Sequence, residues 1–425
     1  MVVAPIAAGR EPALRDLLAT MNTVPGMADP GNAVLPFGLF DGLHFARLAI
    51  LDDPTVGDIA AHGLPVPRYP VYLTFFGDCD GEGKDFLAEV AERASAGLRA
   101  LFLHCEGFDQ KQDLLSWLLA HDCPVAASYI NCLGRTVKQV RQERALQRSL
   151  SAQVRRAPMA SGAEAQQQRR ELIAFVDAEI RAGRLQLTPP EATPWSWLLA
   201  KWGNLIALPL LGLILLPLLL VALPVLVLLL RRHETRDPEV CPRPSLESLL
   251  ALKQIEDHDV TNQYTALGMV KPGPFRRGLL TVLLVLVNYG CRHVFNRGHL
   301  ARVQTIHFAR WVFLDNKTRV AFSSNYDGMH EAYMDDFINK VAWGLNLLFS
   351  NGVGWPHTDW LLLRGARIEQ RFKPYQRRHQ LPTQVWYKAY PGLTLADLQR
   401  NQNIREGLEA ARMSDAQAIA WLGLL

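Results

Sequence analysis

One ten-residue segment occurs twice in the chain, and this internal repeat constrains the fold more than any other feature. Residues 43–52 (LHFARLAILD) return as residues 306–315 (IHFARWVFLD), with His-Phe-Ala-Arg identical in both copies. Further along, residues 74–81 (TFFGDCDG) match residues 321–328 (AFSSNYDG) through a shared phenylalanine and a closing Asp-Gly. Matched segments that occur in the same order in both halves indicate a duplicated structural unit.

Each copy has the sequence pattern of a β-α-β-β-α-β unit. Alternating, β-branched or aromatic stretches predict strands, and apolar residues at helical spacing predict helices. For the first copy we expect strands at 1–8, 43–51, 71–76 and 125–131, and helices at 11–21 and 84–101. For the second copy we expect strands at 264–270, 305–314, 319–323 and 383–390, and helices at 275–295 and 331–349. This order is that of the split ferredoxin-like unit.

Two such units in one chain predict an α+β fold in which the two ferredoxin-like repeats pair, sheet against sheet, as an intrachain α/β barrel with an inserted apolar membrane segment. The expected segments are the first repeat at 1–140, a polar helical connector at 141–194, a membrane-associated segment at 195–236, the second repeat at 250–410 and a C-terminal tail at 411–425.

The inserted segment is apolar enough to enter a membrane. Residues 205–230 read LIALPLLGLILLPLLLVALPVLVLLL, which is 26 residues without a charge. About 20 such residues are enough to cross a bilayer as a helix. Trp197 and Lys201 stand before the run, and Arg231 and Arg232 follow it. Aromatic and basic flanks favour a membrane interface, although a deeply buried core helix is the alternative interpretation.

Three prolines leave the path of this segment open. Pro209, Pro217 and Pro224 each remove a backbone donor. A kinked spanning helix and a re-entrant hairpin broken near Pro217 both agree with the local sequence. A single crossing would separate two repeats that form one barrel, so we favour the hairpin. The expected partners are therefore membrane lipids, and the expected location is the inner (cytoplasmic) membrane with both repeats facing the cytosol.

Several functional classes are disfavoured by composition and motif. The formal net charge is +4, from 45 basic and 41 acidic residues, which does not suggest nucleic acid as a partner. The six cysteines show no zinc-ligand spacing. Walker loops, Gly-x-Ser-x-Gly elbows and His-Glu-x-x-His motifs are missing from the sequence. The oligomeric state stays open.

The element order and the duplication resemble the dimeric α/β-barrel superfamily in its single-chain form, over about residues 1–140 and 255–400. Among its duplicated members are the dye-decolourising haem peroxidases, which use a proximal histidine on iron and a distal aspartate and arginine. The distal motif of that family is similar to residues 325–328 (NYDG), with Ser324 at the position of its first glycine. The resemblance implies haem as the cofactor, and it implies these site residues: Asp327, Arg310 and Asn325 as catalytic; His307, His299 and His330 as haem-binding; and His307 as the metal ligand.

The repeat offers a second interpretation of these residues. His307, Arg310 and Asp327 have counterparts in the first half, so a role in the fold explains them as well as catalysis does. On a regular strand His307 and Arg310 would also face opposite sides unless a bulge intervenes. The expected function is a membrane-attached, peroxidase-like oxidoreductase that acts on a lipophilic small molecule. The alternative is a non-catalytic membrane-associated binding or scaffold protein.

Overall fold

The computed structural model describes residues 1–131, 133–154, 163–295, 298 and 300–425. Its strands are β1 (Val2–Pro5), β2 (Asn22–Val24), β3 (Gly26–Ala28), β4 (Leu43–Leu51), β5 (Tyr72–Cys79), β6 (Val125–Ile130), β7 (Thr261–Met269), β8 (Ile306–Leu314), β9 (Arg319–Asp327), β10 (Thr358–Asp359), β11 (Leu363–Arg364) and β12 (Thr383–Lys388). Its α-helices are α1 (Glu11–Ala19), α2 (Gly83–Arg93), α3 (Ser95–Phe102), α4 (Leu114–Ala120), α5 (Val137–Val154), α6 (Ala163–Arg181), α7 (Trp195–Arg236), α8 (Leu246–Ile255), α9 (Pro274–His293), α10 (His330–Lys340), α11 (Ala342–Phe349), α12 (Glu369–His379), α13 (Leu395–Glu409) and α14 (Asp415–Leu422).

These elements form two compact units. The first unit comprises residues 1–133 and 193–388 and contains every strand named above. The second unit comprises residues 134–192 and 389–425 and is built from α5, α6, α13 and α14. Its core packs leucines of α5 against Ile404 of α13 and Trp421 of α14. The polar connector and the C-terminal segment therefore fold together.

The first unit contains two larger sheets that exchange strands between the halves of the chain. The order in the six-stranded sheet is β1-β5-β4-β12-β3-β2, and the order in the four-stranded sheet is β6-β8-β9-β7. Strand β12, the last strand of the second repeat, pairs antiparallel with β4 of the first. Strand β6, the last strand of the first repeat, pairs antiparallel with β8 of the second. Each half therefore completes the sheet of the other.

The α+β class is confirmed, but the structure does not show the expected barrel. Both sheets are open: β1 and β2 lie at the edges of one, and β6 and β7 at the edges of the other. In the described part of the chain no strand pairing joins these edges into a closed ring. Closure needs continuous pairing around the sheet, whereas the pairings of Val2 with Asp122 and of Ala266 with Gln380 at these edges are isolated bridges.

The two sheets pack face to face through apolar side chains. Val3, Ala49 and Leu51 of the six-stranded sheet share one buried cluster with Leu267 and Val312 of the four-stranded sheet. On its other face the four-stranded sheet is covered by α9, α10 and α11, whose buried side chains form a large core cluster with it. A sheet buried on both faces holds its strands and their polar side chains rigidly.

The apolar segment forms one long helix. Helix α7 runs for 42 residues and includes Pro209, Pro217 and Pro224 in its interior. The expected break near Pro217 is not there, because an isolated proline removes one hydrogen bond and bends a helix without ending it. α7 is long and apolar enough to cross a membrane, and its most apolar window is not buried against the protein. By length and composition alone, this is weak evidence for a membrane.

Candidate functional site

Two β-bulges place histidines between the sheets. In β8 the register against β9 shifts between Ile306 and Phe308, so that His307 is the extra residue. In β4 the register against β5 shifts in the same way between Leu43 and Phe45, around His44. A bulge leaves one residue unpaired and turns the side chains around it. As a result His307 lies on the same face as Arg310, which a regular strand would forbid.

Each histidine at a bulge is hydrogen-bonded to an aspartate at the end of the neighbouring strand. The Nε2 atom of His307 lies 2.7 Å from a carboxylate oxygen of Asp327, and the equivalent distance from His44 to Asp80 is 3.0 Å. Burial lowers the pKa of His307, while the hydrogen bond and charge of Asp327 act in the opposite direction. Neutral His307 therefore donates its Nε2 proton to Asp327.

Two arginines cross from one sheet to the other at the centre of the unit. The guanidinium of Arg47 on β4 donates to the carbonyl of Ser324 (2.9 Å) and to the side-chain oxygen of Asn325. The guanidinium of Arg310 on β8 donates to the carbonyl of Gly77 (3.1 Å) and to the carboxylate of Asp78. The amide of Asn325 also donates to Asp78, at 3.2 Å, which joins the two halves of the network.

The buried guanidinium of Arg47 is bonded to neutral acceptors. Arg47 is 3% exposed and donates further hydrogen bonds to the carbonyl of Tyr264 and the hydroxyl of Thr265. Its burial lowers the pKa of the guanidinium to about 10, although the charge of Asp78 opposes this shift. Because its donors are taken up by protein acceptors, Arg47 acts as a structural cross-link between the sheets.

The structure brings some of the predicted site residues together and separates others. Arg310 and Asn325 meet at Asp78, and Asp327 contacts His307. His330 is not in this cluster, because it lies on α10 and stacks on Tyr264 at the other face of the four-stranded sheet. The sixth predicted residue, His299, lies outside the described residues.

The geometry of His307 does not favour haem ligation. The side chain is 1% exposed, its ring packs on that of Phe45, and its Nε2 is bonded to Asp327. Four cavities in the described part of the chain have walls to which His307, Arg310, Asn325 and Asp327 do not contribute. Among the same residues, no three His, Cys, Asp or Glu side chains are grouped as a metal site. Haem binding stays a prediction that these contacts leave untested.

A different part of the unit offers room for a ligand. A cavity of about 230 Å³ lies between α9, α10, α11 and the outer face of β8 and β9. Its walls are apolar, with aromatic rings from Trp311, Phe322 and Phe337 among them. Two lining residues, Leu286 and Trp343, are about half exposed, so the cavity reaches the surface between α9 and α11. Small-molecule sites are typically concave and mostly apolar in this way.

One polar atom stands out in this wall. The side chain of Trp311 is 5% exposed, and its Nε1 has no hydrogen-bond partner among the described residues. Buried indole N–H groups usually have a partner. The Nε1 atom itself is covered by protein, so the surface that a bound molecule would meet is the apolar ring of Trp311. The cavity thus suits an apolar molecule.

Sequence reasoning missed two groups of residues. Asp78 and Trp386 complete the network around Asn325, whose side-chain oxygen accepts from the indole of Trp386 at 3.1 Å. Asp78 was detectable, because it aligns with Asn325 in the repeat. The lining of the cavity was not detectable, since it combines residues that are distant in sequence and carry no motif. Comparison with protein-family models, with curated proteins and with solved structures finds no match to this chain.

Proposed function

We propose that this protein is a membrane-attached binding protein for a lipophilic small molecule, held in the apolar cavity beside α9. The observation that carries the proposal is the cavity of about 230 Å³ with an apolar, partly aromatic wall. This volume lies just below the usual range of small-molecule sites, about 300–1,000 Å³.

The location of the cavity supports the same proposal. Helix α9 forms one wall and exposes Val282, Val285 and Leu286 on its outer side. The apolar helix α7 contacts α9, so a molecule dissolved in lipid has a short apolar path to the opening. The oxidoreductase activity expected from the family resemblance is the less favoured proposal, because the predicted catalytic side chains do not line this cavity.

The test uses the detergent-purified full chain and cis-parinaric acid, a fluorescent fatty acid. We expect saturable binding that Ala309→Phe weakens at least tenfold, because Ala309 lines the cavity and a phenyl ring would occupy it. Val282→Phe is the matched control, since Val282 is exposed on α9 and is not part of the lining. Its binding should equal that of the parent.

A second variant tests the aromatic wall. Trp311→Phe replaces an indole ring that lines the cavity by a smaller ring, and the lost apolar contact should weaken binding about fivefold, or about 1 kcal/mol. Trp117→Phe, on α4 and not part of the cavity lining, is the matched control and should bind as the parent does. Absence of saturable binding in the parent, or equal binding by Ala309→Phe in a folded protein, would overturn the proposal.

A further inference from the structure

Helix α7 presents a long apolar surface that the protein does not cover. Between 206 and 230 the chain carries no charge, and 12 of its 14 leucines are exposed by 37–69%. Its most apolar window has no buried residue. A helix that is apolar on every side needs an apolar environment on every side. The contacts that fix α7 to the rest of the protein indicate what covers this surface.

The helix is attached to α9 at both ends. Near its start, the carbonyl of Leu205 accepts a hydrogen bond from the hydroxyl of Tyr289 at 3.0 Å. Near its end, the ring of His233 stacks on Phe275 with centroids 5.1 Å apart. Just beyond α7, Asp237 pairs with Arg276 at 2.5 Å and with Lys271 at 3.1 Å. Helices α7 and α9 therefore run antiparallel.

The two helices differ in length between these attachments. A rise of about 1.5 Å per residue separates Leu205 from His233 by about 42 Å along α7, but Phe275 from Tyr289 by only about 21 Å along α9. Both pairs are nevertheless in contact. The difference requires α7 to bend or its attached side chains to lean along the axis, and three interior prolines provide sites for bending.

Helix α9 cannot cross a bilayer together with α7. One side of α9 is part of the core, where Leu280, Leu283 and Leu284 pack against the sheet. Lys317, which is exposed in the turn after β8, donates to Thr281 in the middle third of α9 at 3.4 Å. If α7 and α9 stood perpendicular to the membrane, this ammonium group and the sheet beneath α9 would lie at the depth of the acyl chains, where charges are strongly disfavoured.

From these contacts we infer that α7 lies within one leaflet of a lipid bilayer, parallel to the membrane plane, and that both repeats remain on the same side. A helix is about 10–12 Å thick, and one leaflet contributes about 15 Å of hydrocarbon, so the helix fits without crossing. This inference rests on the membrane attachment in the proposed function and defines its geometry.

Charge and exposed apolar groups near the ends of α7 agree with this placement. Lys201 at the start and the exposed Arg232 and Arg236 at the end are suited to anionic headgroups. The turn between β10 and β11 lies beside the end of α7, and it exposes Trp360, Leu362 and Leu363. The occupant is therefore a lipid leaflet with anionic headgroups. The outer face of α9 borders the same leaflet and brings the cavity opening to it.

The test counts accessible thiols on either side of α7 in sealed vesicles of phosphatidylcholine and phosphatidylglycerol. Cys241, after the helix, is exposed, and Thr193, before it, is also exposed. The Thr193→Cys chain therefore carries a thiol at each end. A membrane-impermeant polyethylene-glycol maleimide adds mass for each thiol it reaches, and Cys241→Ser in the parent chain measures the background from the other cysteines.

The labels are counted for each protein molecule, so the result does not depend on which way the molecules are oriented in the vesicles. For a helix in one leaflet, we expect each molecule to carry either both labels or neither above background, and both after detergent is added. One label per molecule in intact vesicles and two after detergent would overturn the inference, because it shows that the chain crosses. Failure of the protein to float with vesicles would overturn the membrane attachment itself. A soluble oligomer that protects both thiols without lipid would assign the surface to a second copy and also overturn the inference.

Discussion

Arg47 and Arg310 occupy equivalent positions in the repeat, and each guanidinium bonds to the opposite sheet at equivalent acceptors. Arg47 donates to the backbone of Ser324 and to Asn325, and Arg310 donates to the backbone of Gly77 and to Asp78. At these acceptors the two halves differ chemically, because a neutral amide stands at Asn325 where the other half has the carboxylate of Asp78. The two arginines therefore make equivalent cross-links between the sheets, but Arg310 bonds to a charged carboxylate and Arg47 to a neutral amide.

The two arginines should differ in their contribution to stability. Arg47→Met leaves four buried acceptors without their donor, so we expect a loss of about 3–5 kcal/mol in the free energy of unfolding. Arg310→Met should cost about 1–3 kcal/mol, because its side chain is 15% exposed and water can reach Asp78. Urea unfolding in detergent measures both, with the exposed Arg93→Met as control. Equal losses for Arg47→Met and Arg93→Met would contradict the role of Arg47.

Stability should depend on pH through His330. Burial, and then the charges of Arg377 and Lys373, lower the pKa of His330 from 6.5 to about 3. As pH falls through this window, the unfolded chain takes up the proton before the folded chain does, so stability is lost. The contribution is about 1.4 kcal/mol per pH unit.

His330→Phe removes this contribution and keeps a ring against Tyr264. We expect the free energy of unfolding of the variant to fall less steeply between pH 6.5 and 3 than that of the parent. His258→Phe, at an exposed histidine, is the control and should follow the parent. Parallel curves for His330→Phe and the parent would show that His330 does not resist protonation in the folded state.

Glu234 should hold a turn in an otherwise unfavourable conformation. Its carboxylate accepts from the backbone N–H groups of Trp360 (3.0 Å) and Leu361 (2.8 Å), which have φ of 56° and 61°. Residues other than glycine rarely adopt this left-handed conformation without support. We expect Glu234→Gln to cost about 1–3 kcal/mol. It should also speed hydrogen exchange at both amides, and unchanged exchange there would contradict the proposed support.

Haem absorbance should not depend on His307. Because Nε2 of His307 is bonded to Asp327 in a buried site, we expect His307→Ala to leave unchanged any Soret absorbance of the purified, haem-supplemented protein. The comparison of the two absorption spectra is the measurement. A Soret band in the parent that disappears in His307→Ala would restore His307 as the metal ligand.

The repeat made many local elements predictable and left the long-range ones open. Strand β4 matches the expected bounds, and α1 and α9 begin within one residue of theirs. The helices expected at 84–101 and 331–349 are each divided into two shorter helices. The breaks lie at Ala94 and at Val341, which are equivalent positions of the repeat. Hydrophobic spacing does not register such a break, because both pieces keep the same buried face.

The exchange of β6 and β12 had no local signal. Each has the composition of an ordinary strand, and its partner is chosen by contacts with residues far away in the chain. His307 and Arg310 could share a face of the strand only if a bulge lay between the regular positions, and the structure contains this bulge at His307.

The exchanged strands also mean that neither half of the chain is a complete folding unit. Deleting residues 1–131 would leave β8 without its outer partner β6, and deleting the second half would leave β4 without β12. For the fold, the presence of both halves matters more than an unbroken backbone between them. Two fragments produced by a cut in the intervening stretch would stay interlocked, and separately expressed halves would need each other to fold.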